Sequence, residues 1–128
     1  MTHRAPWFAT ALLAAAVLST ARPAIAGSAL SGKAIVVDPG HGGRDPGAIA
    51  NGIHEEDVTL AIGLQLKPLL EAQGAKVVIT RSSDAALGPT TDADLQARVD
   101  IAQQAHANAF VSIHGNETAD PHYTGATT

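Results

Sequence analysis

The chain has 128 residues, no cysteine and a formal net charge of −4. That length suits one domain, and the absence of thiols excludes a disulfide framework, a thiolate metal site and a cysteine nucleophile. The acidic balance leaves no electrostatic footprint for nucleic acid.

In chain order, Met1 to Arg4 is a short basic start and Trp7 to Leu18, WFATALLAAAVL, is an apolar run. The run is too short to span a bilayer comfortably. Ala24-Ile25-Ala26 then places small residues where a signal peptidase reads. Together these predict a secretory signal peptide over 1–26 and a mature chain over 27–128. The expected location is outside the cytoplasm, in the periplasm or the extracellular wall, with no stable membrane anchor. Cleavage after Ala26 removes Arg4 and Arg22 but no acid, so the mature chain is more acidic still. Phe110 and Tyr123 are its only aromatics, so its core must be aliphatic.

Lys33 to Val37, KAIVV, is a β-branched run bounded by turn residues and predicts a buried strand. A glycine-rich loop follows to about Gly52. Glu55-Glu56-Asp57 opens a helical pattern, three acids at the positive end of a helix dipole. Val58, Ile62, Leu66 and Leu69 are the expected buried face, broadened by Leu60, Leu64 and Leu70. Pro68 predicts a kink near Leu64, and Gly74 a stop. Ala75 to Thr80 is a second strand, and 81–91 a loop. Asp92 to His106 is a second helix expected to bury Leu95, Val99 and Ala102. Ala109 to Ile113, AFVSI, is a third strand. The alternation predicts an α/β fold with a mainly parallel sheet and flanking helices.

In such sheets ligands bind beyond the carboxyl ends of the strands. His41 and His114 each follow a strand at that edge. A carboxylate in the first turn of the intervening helix reaches the same place, and both Glu55 and Glu56 qualify. Three donors around an open position are what a hydrolytic zinc site needs. Each feature also has an ordinary explanation: a loop histidine, glycines for a tight turn, an acidic helix start. His54, His106 and His122 show no clear partner.

The segments DPGHGGRDPGA, GIHEEDVTL, VVITRSSD, LQARVDIA and FVSIHGN occur in that order between Asp38 and Asn116. Together they resemble the zinc-dependent N-acetylmuramoyl-L-alanine amidases of the amidase-3 type, bacterial cell-wall hydrolases that cut the amide between N-acetylmuramic acid and L-alanine of peptidoglycan. The resemblance implies zinc held by His41, Glu55 and His114. Glu56 stands where the family usually has lysine, which makes it a rival to Glu55. The family also uses a second glutamate, in a late E-x-GF segment, to handle protons. No such segment occurs in the 128 residues, so the resemblance implies an amidase domain lacking its C-terminal portion and names no catalytic acid or base here. Two other readings stay open: a non-catalytic zinc- or peptidoglycan-binding protein, and another zinc amidohydrolase or peptidase. An activator protein is not identifiable from the sequence.

Overall fold

A computed structural model describes residues 28–115. The segment read as an export signal lies outside them, as do Glu117, Asp120 and His122. Among the described residues no helix is long and apolar enough to cross a membrane.

The first strand, β1 (Ala34–Pro39), is the most deeply buried element, with Val36 and Val37 wholly inaccessible. It is flanked by β4 (Lys76–Ile79) and β5 (Ala109–Ile113) in a parallel sheet of order β4-β1-β5. From β1 the chain crosses to β4 on one side through helix α1 (Glu55–Ala72). It then returns across β1 to β5 through helix α2 (Thr91–Gln104). Right-handed crossovers in opposite directions put the helices on opposite faces. The side chains agree, because strand residues alternate between faces. Ile35 and Val37 pack with Leu66 and Leu70 of α1 and with Val77, Ile79 and Ile113. On the other face Asp38 meets Arg98 of α2. The α/β architecture with a parallel sheet is therefore as the element order implies.

The helix faces follow the hydrophobic pattern only in part: Leu66 and Leu70 of α1 pack on the core as it implies, and other expected residues do not. Helix α1 buries Glu55, Glu56, Thr59 and Gly63, while Val58, Ile62 and Leu69 turn outward and Leu69 is 64% exposed. One reason is close approach. A Cβ on Gly63 would lie 2.6 Å from Cγ of Pro39, so at this point α1 sits tight on β1 only with a small residue inward, while Leu66 and Leu70 pack on the core further along. Pro68 lies in one continuous helix. Pro68 is exposed, as is Leu64 one turn earlier. In α2 the buried residue is Arg98; Leu95 and Val99 are 57% and 46% exposed. The helix begins one residue earlier than the sequence reading, because the Thr90 hydroxyl caps it by accepting from the Ala93 N–H at 3.2 Å.

The glycine-rich loop also contains structure that the sequence reading left out. Strands β2 (Ile49–Ala50) and β3 (Ile53–His54) pair antiparallel across Asn51-Gly52. Both turn residues have positive φ, 52° and 77°, the type I′ geometry for which Asn-Gly is the strongest short signal. This hairpin delivers the chain directly into α1.

Candidate metal centre

The strand order reverses at β1, and the crevice beyond the carboxyl ends of β1 and β5 is where such sheets bind ligands. Register sets two histidines there. Pro39 pairs with Ile113, and the Gly40 N–H extends the ladder to the Ile113 carbonyl at 2.9 Å. His114 thus stands level with Gly40. Its ring occupies the space where a side chain at 40 would be, since a Cβ there would lie 2.5 Å from His114 Nε2. His41 follows with φ of 62°, a left-handed conformation that a histidine adopts at some cost. That backbone turn faces its ring to His114, with centroids 4.7 Å apart and planes at 80°.

Glu55 comes from the first turn of α1. Its backbone N–H donates to the Ala48 carbonyl at 2.9 Å. The Ala48 N–H in turn donates to Glu55 Oε2 at 3.0 Å. The Gly115 N–H donates to Oε1 at 2.7 Å. Gly47, at φ 66°, makes room for both groups: a Cβ would lie 2.7 Å from His41 Cδ2 and 2.8 Å from Glu55 Oε2.

Three donor atoms result. Glu55 Oε1 is 3.0 Å from His41 Nε2 and 3.2 Å from His114 Nδ1, and the two ring nitrogens are 3.1 Å apart. Ligands about 2.0–2.1 Å from a tetrahedral ion are spaced about 3.3–3.4 Å apart. The triangle therefore fits a zinc-sized cation with little movement, and its donor set of two imidazoles and one carboxylate is one that catalytic zinc accepts. On the far side of His41, Nδ1 is 2.9 Å from Asp45 Oδ2, an outer carboxylate of the kind that fixes the tautomer of a ligating histidine.

Glu56 is placed elsewhere. Its Oε1 is 3.4 Å from His54 Nδ1, and its Oε2 is buried with no partner among the described residues. Of the two glutamates left open by the sequence, the structure brings Glu55 to His41 and His114. Sequence reasoning missed Asp45, Asp38, Arg81 and Arg98. Asp45 was legible as an acid four residues after His41. Asp38 and Arg81 read only as the first residues of loops that follow strands, and Arg98 only as one position in the second helix.

Burial pushes the Glu55 carboxyl up. The Ala48 and Gly115 N–H groups, the nearby His41 and the bond to His114 outweigh that and hold it below the usual carboxylate range. Asp94 behaves alike: burial raises it, and Arg98 with the Leu87 N–H bring it lower overall. A carboxylate lowered in the folded state adds stability above its unfolded pKa and loses it as pH falls through the folded one. The denaturant midpoint is therefore expected to be flat from pH 7 to 5 on account of these two groups, and to fall below pH 4. A urea series over that range checks it; a midpoint unchanged at pH 3 would contradict it.

Two clefts flank the cluster, and His114 lines both. One, of about 310 Å³, runs toward α2 past Asp45, Arg44, Leu95 and Phe110. The other, of about 300 Å³, runs along the hairpin and α1 past Ala50, Ile53, Val58 and Ile62. A long substrate thus has room on either side of the three donors.

Fold and site together define an α/β protein with a three-donor cluster at the carboxyl edge of a parallel sheet. The family model for N-acetylmuramoyl-L-alanine amidase of the amidase-3 type matches residues 35–128. The chain is 39% identical over 105 residues to the germination-specific N-acetylmuramoyl-L-alanine amidase of Bacillus subtilis strain 168, covering 76% of this chain and 44% of that one. It is 40% identical over 95 residues to the N-acetylmuramoyl-L-alanine amidase AmiA of Escherichia coli K12, covering 73% and 31%. Among solved structures, the CwlD amidase of Clostridioides difficile, determined in complex with the GerS lipoprotein, matches with a TM-score of 0.67. Identity there is 39%, over 71% of this chain and 52% of that one. The chain belongs to the N-acetylmuramoyl-L-alanine amidase family, and it spans about half or less of the length of these relatives.

Proposed function

We propose that residues 27–128 are the metal-binding portion of a zinc-dependent N-acetylmuramoyl-L-alanine amidase that acts on peptidoglycan after export directed by residues 1–26. The observation that carries this reading is the convergence of His41 Nε2, Glu55 Oε1 and His114 Nδ1 within 3.2 Å of one another, beside two clefts. Bound there, zinc would polarise the scissile carbonyl and lower the pKa of a water in the open position.

The chain's own residues have distinct tasks. His41, Glu55 and His114 hold the ion. Asp45 accepts from His41 Nδ1, which leaves Nε2 as the ligating atom. The Ala48 and Gly115 N–H groups keep Glu55 ionised and fixed. Gly40 and Gly47 clear space beside the rings. Proton transfer needs a further positioned group. The acids that follow His114 in the 128 residues are Glu117 and Asp120, and neither belongs to an E-x-GF segment.

The test is release of peptides with new L-alanine amino termini from purified peptidoglycan. A positioned proton-transfer group is worth about 10²–10⁴ in rate. The 128-residue polypeptide is therefore expected to release such peptides barely above a zinc-free control. Appending the E-x-GF portion of a relative should raise the rate and make it chelator-sensitive. New reducing ends or other new amino termini would contradict the amidase reading. Robust release by the 128 residues alone would assign the proton step to Glu117, Asp120 or a partner chain. Zinc and wall binding without any turnover, with or without the appended portion, would favour a non-catalytic binding protein.

A further inference from the structure

Just past β1 the chain leaves the sheet, and its carbonyls lose their ladder partners in a buried place. Such groups must find donors. Three consecutive carbonyls find them on two arginines. Arg81 Nε donates to the Pro39 oxygen at 3.0 Å, and one of its terminal nitrogens donates to Gly40 at 2.8 Å. Arg98 donates to Pro39 and to His41, each at 2.8 Å. Both side chains are buried, 4% and 5% exposed.

The two arginines differ in what else they hold. Arg98 is ion-paired with Asp38 and Asp94 at 2.8 and 2.7 Å. Asp38 in turn accepts from Ser112 at 2.8 Å, two residues before His114. Arg81 has no carboxylate within ion-pair distance among the described residues. The same terminal nitrogen that reaches Gly40 also lies 2.8 Å from the Glu56 carbonyl and 3.1 Å from the Thr59 hydroxyl, and the other donates to the Ser83 carbonyl at 3.2 Å. The charges of Asp84, Glu56 and Asp38 act on Arg81 from further off, and its direct hydrogen bonds go to carbonyls and one hydroxyl. It joins the turn that carries His41 to the first turn of α1, next to Glu55. Arg98 joins the same turn to the strand that carries His114.

We infer that Arg81 and Arg98 are positioning residues that clamp the Pro39-Gly40-His41 carbonyls from opposite faces of the sheet. They thereby hold His41 in its left-handed conformation and set the mutual placement of the three donors. The inference about metal rests on the zinc reading; the inference about placement does not. Lysine keeps the charge at either position but cannot span several carbonyls with a planar fork.

The experiment uses the 128-residue chain without metal, comparing the wild type with Arg81→Lys, Arg98→Lys and Leu70→Ala. The last loosens the core at the far end of α1 and controls for lost stability. A ring-to-ring NOE between His41 and His114 is expected in the wild type and in Leu70→Ala, and lost in both arginine variants. A second arm titrates zinc by chelator competition, where each arginine variant is expected to bind about 10–100-fold more weakly, the usual effect of losing an outer-shell partner. Should a lysine variant fail to fold, Thr59→Val, which removes one hydroxyl from the same clamp, takes its place and is expected to weaken the NOE. An NOE of unchanged intensity in the arginine variants, or in Thr59→Val, would overturn the inference, as would its absence from the wild type. A wild type that shows the NOE but binds no zinc would sink the metal reading and leave the clamp standing.

Discussion

Glu55→Ala is expected to weaken zinc binding about 10²–10⁴-fold, one ligand's share of a binding free energy of about 10–16 kcal/mol spread over three or four ligands. Glu56→Ala is expected to leave it within a few-fold. The two residues are neighbours in the first turn of α1 and both are buried, so neither type nor accessibility separates them. Direction does. Successive helix residues diverge by about 100°. The Glu55 carboxylate is turned to the histidines by the Ala48 and Gly115 N–H groups, and that of Glu56 to His54. His41→Ala and His114→Ala should resemble Glu55→Ala, and His54→Ala should resemble Glu56→Ala. Competition with a coloured chelator reads all five. A strong loss in Glu56→Ala with Glu55→Ala spared would shift the ligand by one residue.

The second large effect concerns stability. Asp38 is 3% exposed. It accepts from the Thr80 hydroxyl at 2.7 Å, the Ser112 hydroxyl at 2.8 Å and Arg98 at 2.8 Å. It therefore ties all three strands of the sheet to α2 at one point. Asp38→Ala would leave the buried Thr80 hydroxyl without its acceptor, free the exposed Ser112 hydroxyl, and leave Arg98 with Asp94 as its remaining counter-ion. Breaking a buried pair by removing one partner typically costs about 3–5 kcal/mol, a large part of a domain's total of about 5–15 kcal/mol. Asp38→Asn keeps the shape and an acceptor for Thr80 and Arg98, and is expected to lose clearly less. Urea unfolding of both variants measures this. An alanine variant within about 1 kcal/mol of the wild type, the worth of an ordinary hydrogen bond, would contradict it.

What the sequence disclosed follows from local chemistry. Strands such as AFVSI between turn residues, and an acidic start to a helix, are written in a few adjacent residues, and both were legible. That His41 and His114 stand at one sheet edge was legible because position at a strand end is a topological property, and topology follows from element order; the choice of Glu55 over Glu56 came from the family resemblance and not from topology. The helix faces were legible only in part, Leu66 and Leu70 packing inward as expected and Val58, Ile62 and Leu69 not. Period 3.6 finds an apolar stripe but not which stripe faces inward. In α1 the decision falls to Gly63 against Pro39, a contact between residues 24 apart in sequence. The buried arginines were illegible for a related reason. A buried guanidinium needs acceptors, and the carbonyls and carboxylates that serve both arginines come together at the end of β1 only in the assembled fold. The Asn51-Gly52 hairpin was written plainly, and was missed because the surrounding glycines and prolines read as continuous loop.

Anomalous diffraction at the zinc edge, from a crystal of the 128-residue chain grown with one equivalent of zinc, tests the central claim most directly. The account predicts a single strong peak about 2.0–2.1 Å from His41 Nε2, Glu55 Oε1 and His114 Nδ1, the distances zinc keeps to imidazole and carboxylate. A peak on Glu56 or His54, or none at the edge of β1 and β5, would contradict it.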